Sequence, residues 1–329
     1  EFREELRAFL DEHYTDEIAE RVYQTGTIHD WGFHRALGER GWIGASFPKD
    51  YGGQERDPYE MTAFDEERAR LDLPLDGYGV SIMIANVLRH CGTEEQKRGI
   101  IPGVLAGEVL ICLGYSEPEC GSDVAAAKTR AVRDGDEWIV NGSKMFTTLA
   151  HESQYVFLLA RTNNDVAKHK GLTTFLVPMD LPGIEFQPVH TLGGERTNIT
   201  FYDDVRVPDR WRVGDVDSGW DVMMVALTFE RGGSMGGQIR RLLANAVEAV
   251  RTIERNGRPL IEDPLVRERL ARAEVETEVS NLLGLRTTWL FTQGILPGVE
   301  GSMGKLFSSE AFVRASSDLL DLLGPEGLL

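Results

Sequence analysis

The hydrophobic period of this 329-residue chain changes twice, and few folds accommodate both changes. Residues 1–110 place apolar side chains at helical spacing, as in EFREELRAFLDEHY with Phe2, Leu6, Phe9 and Leu10. In the same region DPYEMTAFDEERARLD opens with Asp57 as N-cap and Pro58 at the first helical position. TEEQKRGIIPGVLAGE carries Thr93 as cap and a proline, Pro102, that ends or kinks its helix. Across 111–215 the period shortens. DEWIVNGSKMFTT has β-rich runs either side of Asn141-Gly142, which predicts a tight hairpin turn. QYVFLLAR, LTTFLVPMD, IEFQPVHTL and TNITFYDDVRVP follow without an intervening helix, and five or six strands in roughly 100 residues predict an antiparallel barrel or sandwich. From 216 to 329 the helical period returns in three long segments: VMMVALTFERGGSMGGQIRRLLANAVEAVRTIER, a second opened by Asp263 and Pro264, and a third closed by Gly324 and Pro325. The expected architecture is α+β and multidomain: an all-α N-terminal domain (1–110), a central antiparallel β-barrel or sandwich (111–215), and a C-terminal four-helix bundle (216–329) whose last part lies beyond this sequence.

Charge narrows the partners. A formal net charge of −18 argues against nucleic acid and against an anionic membrane surface. A phosphorylated small molecule stays open, since a few local arginines hold one. No apolar run approaches the ~20 residues of a membrane span, and no signal peptide is visible. Cys91, Cys112 and Cys120 are odd in number and lack metal-ligand spacing, which reads as reduced thiols of a cytoplasmic protein. The start at Glu1 and the stop after GPEGLL read as trimmed ends.

GYSEPECGSD at 114–123 resembles the Thr/Ser-Glu-Pro-x-x-Gly-Ser-Asp signature of acyl-CoA dehydrogenases. DYGG at 50–53, KTRAVRDGDEWIVNGSKMFTT at 128–148 and GGERTNITFYDDVRVPDRWRVGDVDSGW at 193–220 are similar to further marks of that family, in the same order. The resemblance implies the α, β, α domain order, bound FAD, an acyl-CoA thioester substrate, and an electron-transfer flavoprotein or similar acceptor. It implies loss of an α-proton to a protein base and of a β-hydride to the flavin. Ser116 corresponds to the hydroxyl that bonds the flavin ring, while Leu113 and Tyr115 correspond to residues whose backbone borders it. Gly121 and Ser122 match positions near the pyrophosphate. Phe146 stands where tryptophan usually packs on the isoalloxazine, and Thr148 stands near N5. Taken without the resemblance, the same residues read as an interdomain turn and an ordinary inward strand residue.

Arg255 corresponds to an arginine that reaches the FAD pyrophosphate of a neighbouring subunit. Here the chain departs from the pattern. The family often reads Arg-x-x-Phe-Gly, and this chain reads RNGRPLIEDPLVR. Asp321 and Pro325 stand where glutamine and glycine are usual. The departures resemble members from actinobacterial steroid degradation, which pair two unlike subunits in a heterotetramer; a homotetramer is the alternative.

ALTFERGGSMGG, residues 226–237, holds the reactive candidates. Glu230 has Ala226, Leu227, Gly233 and Ser234 at helical neighbour positions, and Arg231 has Leu227, Thr228, Ser234 and Met235. None is charged. The resemblance makes Glu230 the catalytic base, at the alternative position used by isovaleryl-CoA and long-chain acyl-CoA dehydrogenases, and Arg231 a residue that positions the CoA-bearing substrate. A carboxylate enclosed by apolar side chains is a stronger base, and Glu230 is expected to be so enclosed. The glycines at 232, 233, 236 and 237 suit either a bulky fused-ring acyl group or close helix packing. Lys168, His169 and Lys170 read as a solvated loop that CoA phosphates could use, Glu117 and Asp123 as scaffolding carboxylates, and His151 and His190 as loop or surface residues. The chain is expected to dehydrogenate an acyl-CoA thioester, with a steroid side-chain acyl group as the narrower reading. A non-catalytic partner subunit is the alternative, and an oxidase a third reading.

Overall fold

The computed structural model describes residues 2–71, 73–231 and 235–325. Their contacts fall into two compact units, one formed by Asp11–Arg56 and Pro74–Glu230, the other by Glu1–Leu10, Asp57–Leu73 and Arg231–Leu329. In chain order the first helices are α1 (Phe2–His13), α2 (Asp16–Thr25), α3 (Trp31–Glu39), α4 (Pro58–Leu71), α5 (Asp76–Cys91) and α6 (Glu94–Leu105). The strands β1 (Ile111–Gly114), β2 (Arg130–Asp134), β3 (Glu137–Lys144), β4 (Tyr155–Arg161), β5 (Leu172–Pro178), β6 (Ile184–His190), β7 (Arg196–Pro208) and β8 (Arg212–Val213) come next. Then follow α7 (Gly219–Glu230), α8 (Gly236–Thr252), the short pair β9 (Glu254–Arg255) and β10 (Arg258–Pro259), α9 (Pro264–Thr292) and α10 (Val299–Leu323).

In the first unit the sheet runs in the open order β6-β7-β3-β2-β4-β5-β8, with β1 also paired to β4. It is mostly antiparallel, but β1 lies parallel to β4 and β2 meets β4 in parallel at Arg130 and Arg161. Strand β4 explains why its sequence is a continuous apolar run rather than an alternation. Val156, Leu158 and Ala160 face a core shared with Val140, Phe175 and Val205. Phe157 faces the other way, into a core built from Ile84, Leu88, Ile101, Val222 and Ala226. A strand covered on both sides must be apolar on both, and helices α5, α6 and α7 supply the second cover.

Several expectations are corrected. Asn141-Gly142 is not a hairpin turn. The β2–β3 turn lies at Gly135 and Asp136, and the Asn-Gly pair sits inside β3 opposite a bulge in β7. Asn141 Nδ2 donates to Asp204 Oδ1 (2.9 Å), and Asp204 N–H donates to Asn141 Oδ1 (2.9 Å), so the amide satisfies the bulge. Gly142, at φ 142°, is required because a Cβ would lie 2.8 Å from the Thr129 Cα. The segment from Val222 to Arg255 is not one helix, since α7 stops at Glu230 and α8 starts at Gly236. Helix α6 runs a further three residues through Pro102 before it ends.

The second unit is a helical bundle in which α4 joins α8, α9 and α10. Its core includes Ile239, Leu243, Val250, Leu270, Ala311 and Leu319. Gly237 serves close packing: a Cβ there would stand 2.6 Å from the Ala69 Cβ of α4. Gly232 and Gly233 lie outside the described residues. Two N-terminal caps read from sequence are present, with Asp57 Oδ1 accepting from Tyr59 N–H and Asp263 Oδ1 from Leu265 N–H, both at 2.8 Å. Buried Glu67 accepts from Arg3, Arg7 and Arg70, which ties α1 to α4. That ring of guanidiniums outweighs the opposing effect of burial and holds its carboxyl at about 2.

Two buried histidines in the first unit carry an acid sensitivity. His29 and His34 pack edge to face at 4.8 Å, and neither ring has a hydrogen-bond partner among the described residues. Burial holds the His29 imidazole down at about 4 and the His34 imidazole at about 3, with the neighbouring positive groups adding to the second. A base depressed in the folded state is neutral in both states above the unfolded value of 6.5. Below it only the unfolded chain gains the protons, so stability falls by about 1.4 kcal/mol per pH unit for each imidazole. Urea unfolding followed from pH 7 to 4.5, above the range in which Glu67 titrates, is expected to show this loss. His29→Leu combined with His34→Leu is expected to flatten it.

Candidate active site

Strand β1 ends at Gly114, and the chain then turns through Tyr115 and Ser116 into a tight loop closed by Glu117 and Cys120, whose backbones exchange hydrogen bonds of 2.8 and 3.1 Å. Glu117 is buried, and its carboxylate accepts from the backbone N–H groups of Lys128 (2.6 Å) and Thr129 (2.9 Å). Lys144, at the end of β3, has no exposed surface. Its ammonium donates to Glu117 Oε1 (2.8 Å) and to the Tyr115 carbonyl (3.1 Å). Burial opposes both charges. In Glu117 the ammonium and the two N–H donors outweigh it and hold the carboxyl below its usual range, whereas in Lys144 burial dominates and lowers the amine. Glu117 is thus the scaffolding carboxylate its motif suggested. Sequence reading passed over Lys144, because a lone lysine in a strand gives no sign that it is buried.

Just past Lys144 the chain is forced outward. Met145 N–H donates to the Ser116 carbonyl (2.8 Å), Thr147 N–H to the Asn198 carbonyl (2.8 Å), and Asn198 Nδ2 to the Thr147 carbonyl (3.1 Å). These bonds clamp both flanks of Phe146. It takes a left-handed backbone (φ 59°) and is 60% exposed. A bulky residue in that conformation costs on the order of 1–3 kcal/mol, and exposure of the ring adds nothing to folding. Thr148 Oγ1 lies 3.1 Å from Thr197 Oγ1 on β7. His151 is no loose surface residue: Asn198 Nδ2 approaches its Nδ1 at 3.1 Å, and burial lowers its pKa. His190 is exposed, as expected.

Leu113, Tyr115, Ser116, Gly121, Ser122, Phe146, Thr148 and Glu230 all lie in the first unit. Leu113 is half-buried in β1, while Gly121 and Ser122 are exposed, and a Cβ on Gly121 would meet no protein atom within 4 Å. Glu230 is the last residue of α7, and its side chain is exposed rather than enclosed by apolar groups. The physical reason is the helix end: the buried residues of α7 stop at Ala226, one turn earlier. A carboxylate at a helix C-terminus also opposes the macrodipole, at about 0.3–1 kcal/mol. Even so, its charge is felt by the buried Tyr115 hydroxyl. Arg231 and Arg255 belong to the second unit. Arg231 Nη1 donates to Ser302 Oγ of α10 at 3.4 Å. Arg255 is exposed in a two-stranded hairpin turned by Asn256 (φ 57°) and Gly257 (φ 73°), an Asn-Gly turn that sequence reading overlooked.

A cavity of about 330 Å³ in the first unit is lined by Lys128, Arg130, Arg161, Asn163 and Lys168 among others. Arg161 is committed to the carbonyls of Ala125, Ala127 and Lys168, so its role is to hold the cavity wall. Lys128 and Lys168 pair on the surface with Glu119 and Asp123.

An exposed aromatic on a strained turn serves no folding purpose, and a carboxylate set against a helix dipole serves none either. Both lie in the first unit, and departures of this kind mark candidate functional residues. Family models carry this further: the acyl-CoA dehydrogenase N-terminal, middle and C-terminal domains match residues 1–108, 112–205 and 217–329. Acyl-CoA dehydrogenase FadE26 of Mycobacterium tuberculosis is 33% identical over 343 residues, spanning 100% of this chain and 85% of the relative. Among solved structures, the Tcur3481-Tcur3483 steroid ACAD is 36% identical with a TM-score of 0.88, over 99% of this chain and 85% of that one. The ChsE4-ChsE5 complex of Mycobacterium tuberculosis is 33% identical with a TM-score of 0.87, over 100% and 85%. The chain belongs to the acyl-CoA dehydrogenase family, flavoproteins that oxidise acyl-CoA thioesters. An enzyme is favoured over a non-catalytic partner. Among the described residues no helix is long and apolar enough to cross a membrane.

The Glu117–Lys144 pair gives a testable consequence. Lys144→Met leaves a buried carboxylate without its counter-ion and is expected to lower stability by about 3–5 kcal/mol in urea unfolding. Adding Glu117→Gln to it is expected to recover part of that loss, and the double-mutant cycle measures the coupling.

Proposed function

We propose that this chain converts an acyl-CoA thioester to the trans-2-enoyl-CoA with FAD as its cofactor and Glu230 as the base. FAD, when bound, supplies the acceptor for the β-hydride. The observation that carries the reading is Phe146, whose ring is held outward by a clamp on both sides. It fits a planar cofactor that stacks on it and removes its apolar face from water. The open space at Gly121 fits a diphosphate approaching the backbone, with Ser122 beside it. The Ser116 hydroxyl would bond the flavin ring, the backbones of Leu113 and Tyr115 would border it, and Thr148 would stand near its N5.

In this reading the Glu230 carboxylate takes the α-proton while the β-hydride leaves, and the two electrons of the α C–H bond form the new double bond. Bound acyl chain excludes water from the end of α7, which strengthens the base. Arg231 orients the CoA-bearing substrate. The basic cavity beside Lys128 and Lys168 suits CoA phosphates. Likeness to the Tcur3481-Tcur3483 steroid ACAD favours a bulky steroid side-chain acyl group. Assembly with a like or unlike subunit is also proposed. Exposed apolar residues recur every seventh position on α9 (Val275, Leu282, Trp289) and on α10 (Val299, Leu306, Val313, Leu320), the spacing of a helix face that packs on another helix. Arg255 would reach a neighbouring subunit's FAD, and an electron-transfer flavoprotein or similar acceptor would reoxidise the enzyme.

Glu230→Gln is expected to retain flavin absorbance near the wild-type level and to slow bleaching by acyl-CoA at least ~100-fold. Unchanged bleaching would remove Glu230 from the mechanism. Phe146→Ala is expected to lower the flavin-to-protein ratio while leaving the melting temperature of the flavin-free protein nearly the same, since the residue is exposed.

A further inference from the structure

The Tyr115 hydroxyl is buried and has no hydrogen-bond partner among the described residues. Buried hydroxyls without partners are rare, because desolvation is not offset. Packing alone does not call for one: the ring meets Phe157 at 6.1 Å in an apolar setting, and phenylalanine would fill the same space. Val225 and Phe229 of α7 border the same core cluster, and Leu227 of α7 borders another that Tyr115 also touches. Tyr115 therefore stands beside the helix that ends in Glu230. Its carbonyl is fixed by Lys144, so the residue is anchored while its hydroxyl stays unsatisfied.

We propose that Tyr115 is a positioning residue for the base: when a bound acyl chain covers the end of α7, the Glu230 carboxylate turns inward and accepts a hydrogen bond from the Tyr115 hydroxyl. This rests on the assignment of Glu230 as the base. Burial and the Glu230 charge both raise the phenol, so it stays a donor across the working pH range. Among the described residues, other ionisable groups around α7 include Asp221 in its own first turn, Cys120 in the cluster that Leu227 and Tyr115 border, His90 of α5, whose ring meets Phe229 at 5.6 Å, and His169, whose ring meets Trp220 at 6.3 Å, with Lys168 and Lys170 beside it and Arg89 beside His90. Arg231 follows Glu230 directly in the chain. A phenol bonded to one carboxylate oxygen leaves the other directed at the α-carbon, and the bond persists after the proton is taken.

The test compares Tyr115→Phe with Glu230→Gln in the flavin-loaded enzyme. Tyr115→Phe is expected to lower kcat about 10-fold to 100-fold, the usual effect of one hydrogen bond to a charged group, with KM within about threefold. Removing a donor to the charged form makes the carboxylate easier to protonate. The acidic limb of kcat is therefore expected to move up by about one pH unit. The melting temperature is expected to be unchanged or higher, because an unsatisfied hydroxyl is gone. An unmoved acidic limb, or a lower melting temperature with kcat unaltered, would overturn the assignment of Tyr115. If Glu230→Gln still bleaches with substrate, the base assignment itself fails; if it does not bleach and Tyr115→Phe behaves as wild type, only the present inference falls.

Discussion

One ion pair, sealed from water, organises the loop after β1 and the end of β3 in the first unit. Lys144 closes β3 and Glu117 closes the loop after β1, and neither charge is tolerable alone in that environment. Each satisfies more than the other: the ammonium also holds the Tyr115 carbonyl, and the carboxylate also collects the backbone N–H groups of Lys128 and Thr129, just before β2. Three chain segments far apart in sequence are thereby fixed within hydrogen-bond length of a single point. A pair of this kind adds little net stability, but it allows only one arrangement of the segments it joins, and a site needs that more than it needs stability.

Three residues of the first unit show where folding energy is given up. Phe146 is bulky, left-handed in backbone and exposed, Tyr115 buries a hydroxyl with no partner, and Glu230 ends a helix with the wrong sign of charge. Each is a small local loss, and all lie in one compact unit. Asn198 holds the flank of Phe146, and Lys144 holds the Tyr115 carbonyl. The proposed function would account for such departures from local rules.

Much of the frame was legible beforehand. Strands β4 to β7 follow the apolar runs closely, and the caps at Asp57, Thr93 and Asp263 form as their side-chain chemistry requires. Misreadings have a common origin. Asn141-Gly142 and Asn256-Gly257 are the same dipeptide, yet the first answers a bulge in a neighbouring strand and the second turns a hairpin. The run around ALTFERGGSMGG had the apolar period of a single helix, but α7 and α8 are separate and the chain changes unit between Glu230 and Arg231. Exposure of Glu230 was missed for the same reason: apolar neighbours in sequence said nothing about where the helix meets the surface.

By itself the sequence determined the order of helical and extended regions, the motifs that mark the family and the residue types available for proton and hydride chemistry, because periodicity, capping and motif spacing are local along the chain. Only the tertiary structure decided that Lys144 is buried against Glu117, that Phe146 is thrust outward, that Tyr115 is left unsatisfied beside α7, and that α4 completes a bundle with helices more than 150 residues away. Those outcomes depend on which groups lose water together. Desolvation is a property of the packed neighbourhood, which no stretch of chain contains by itself.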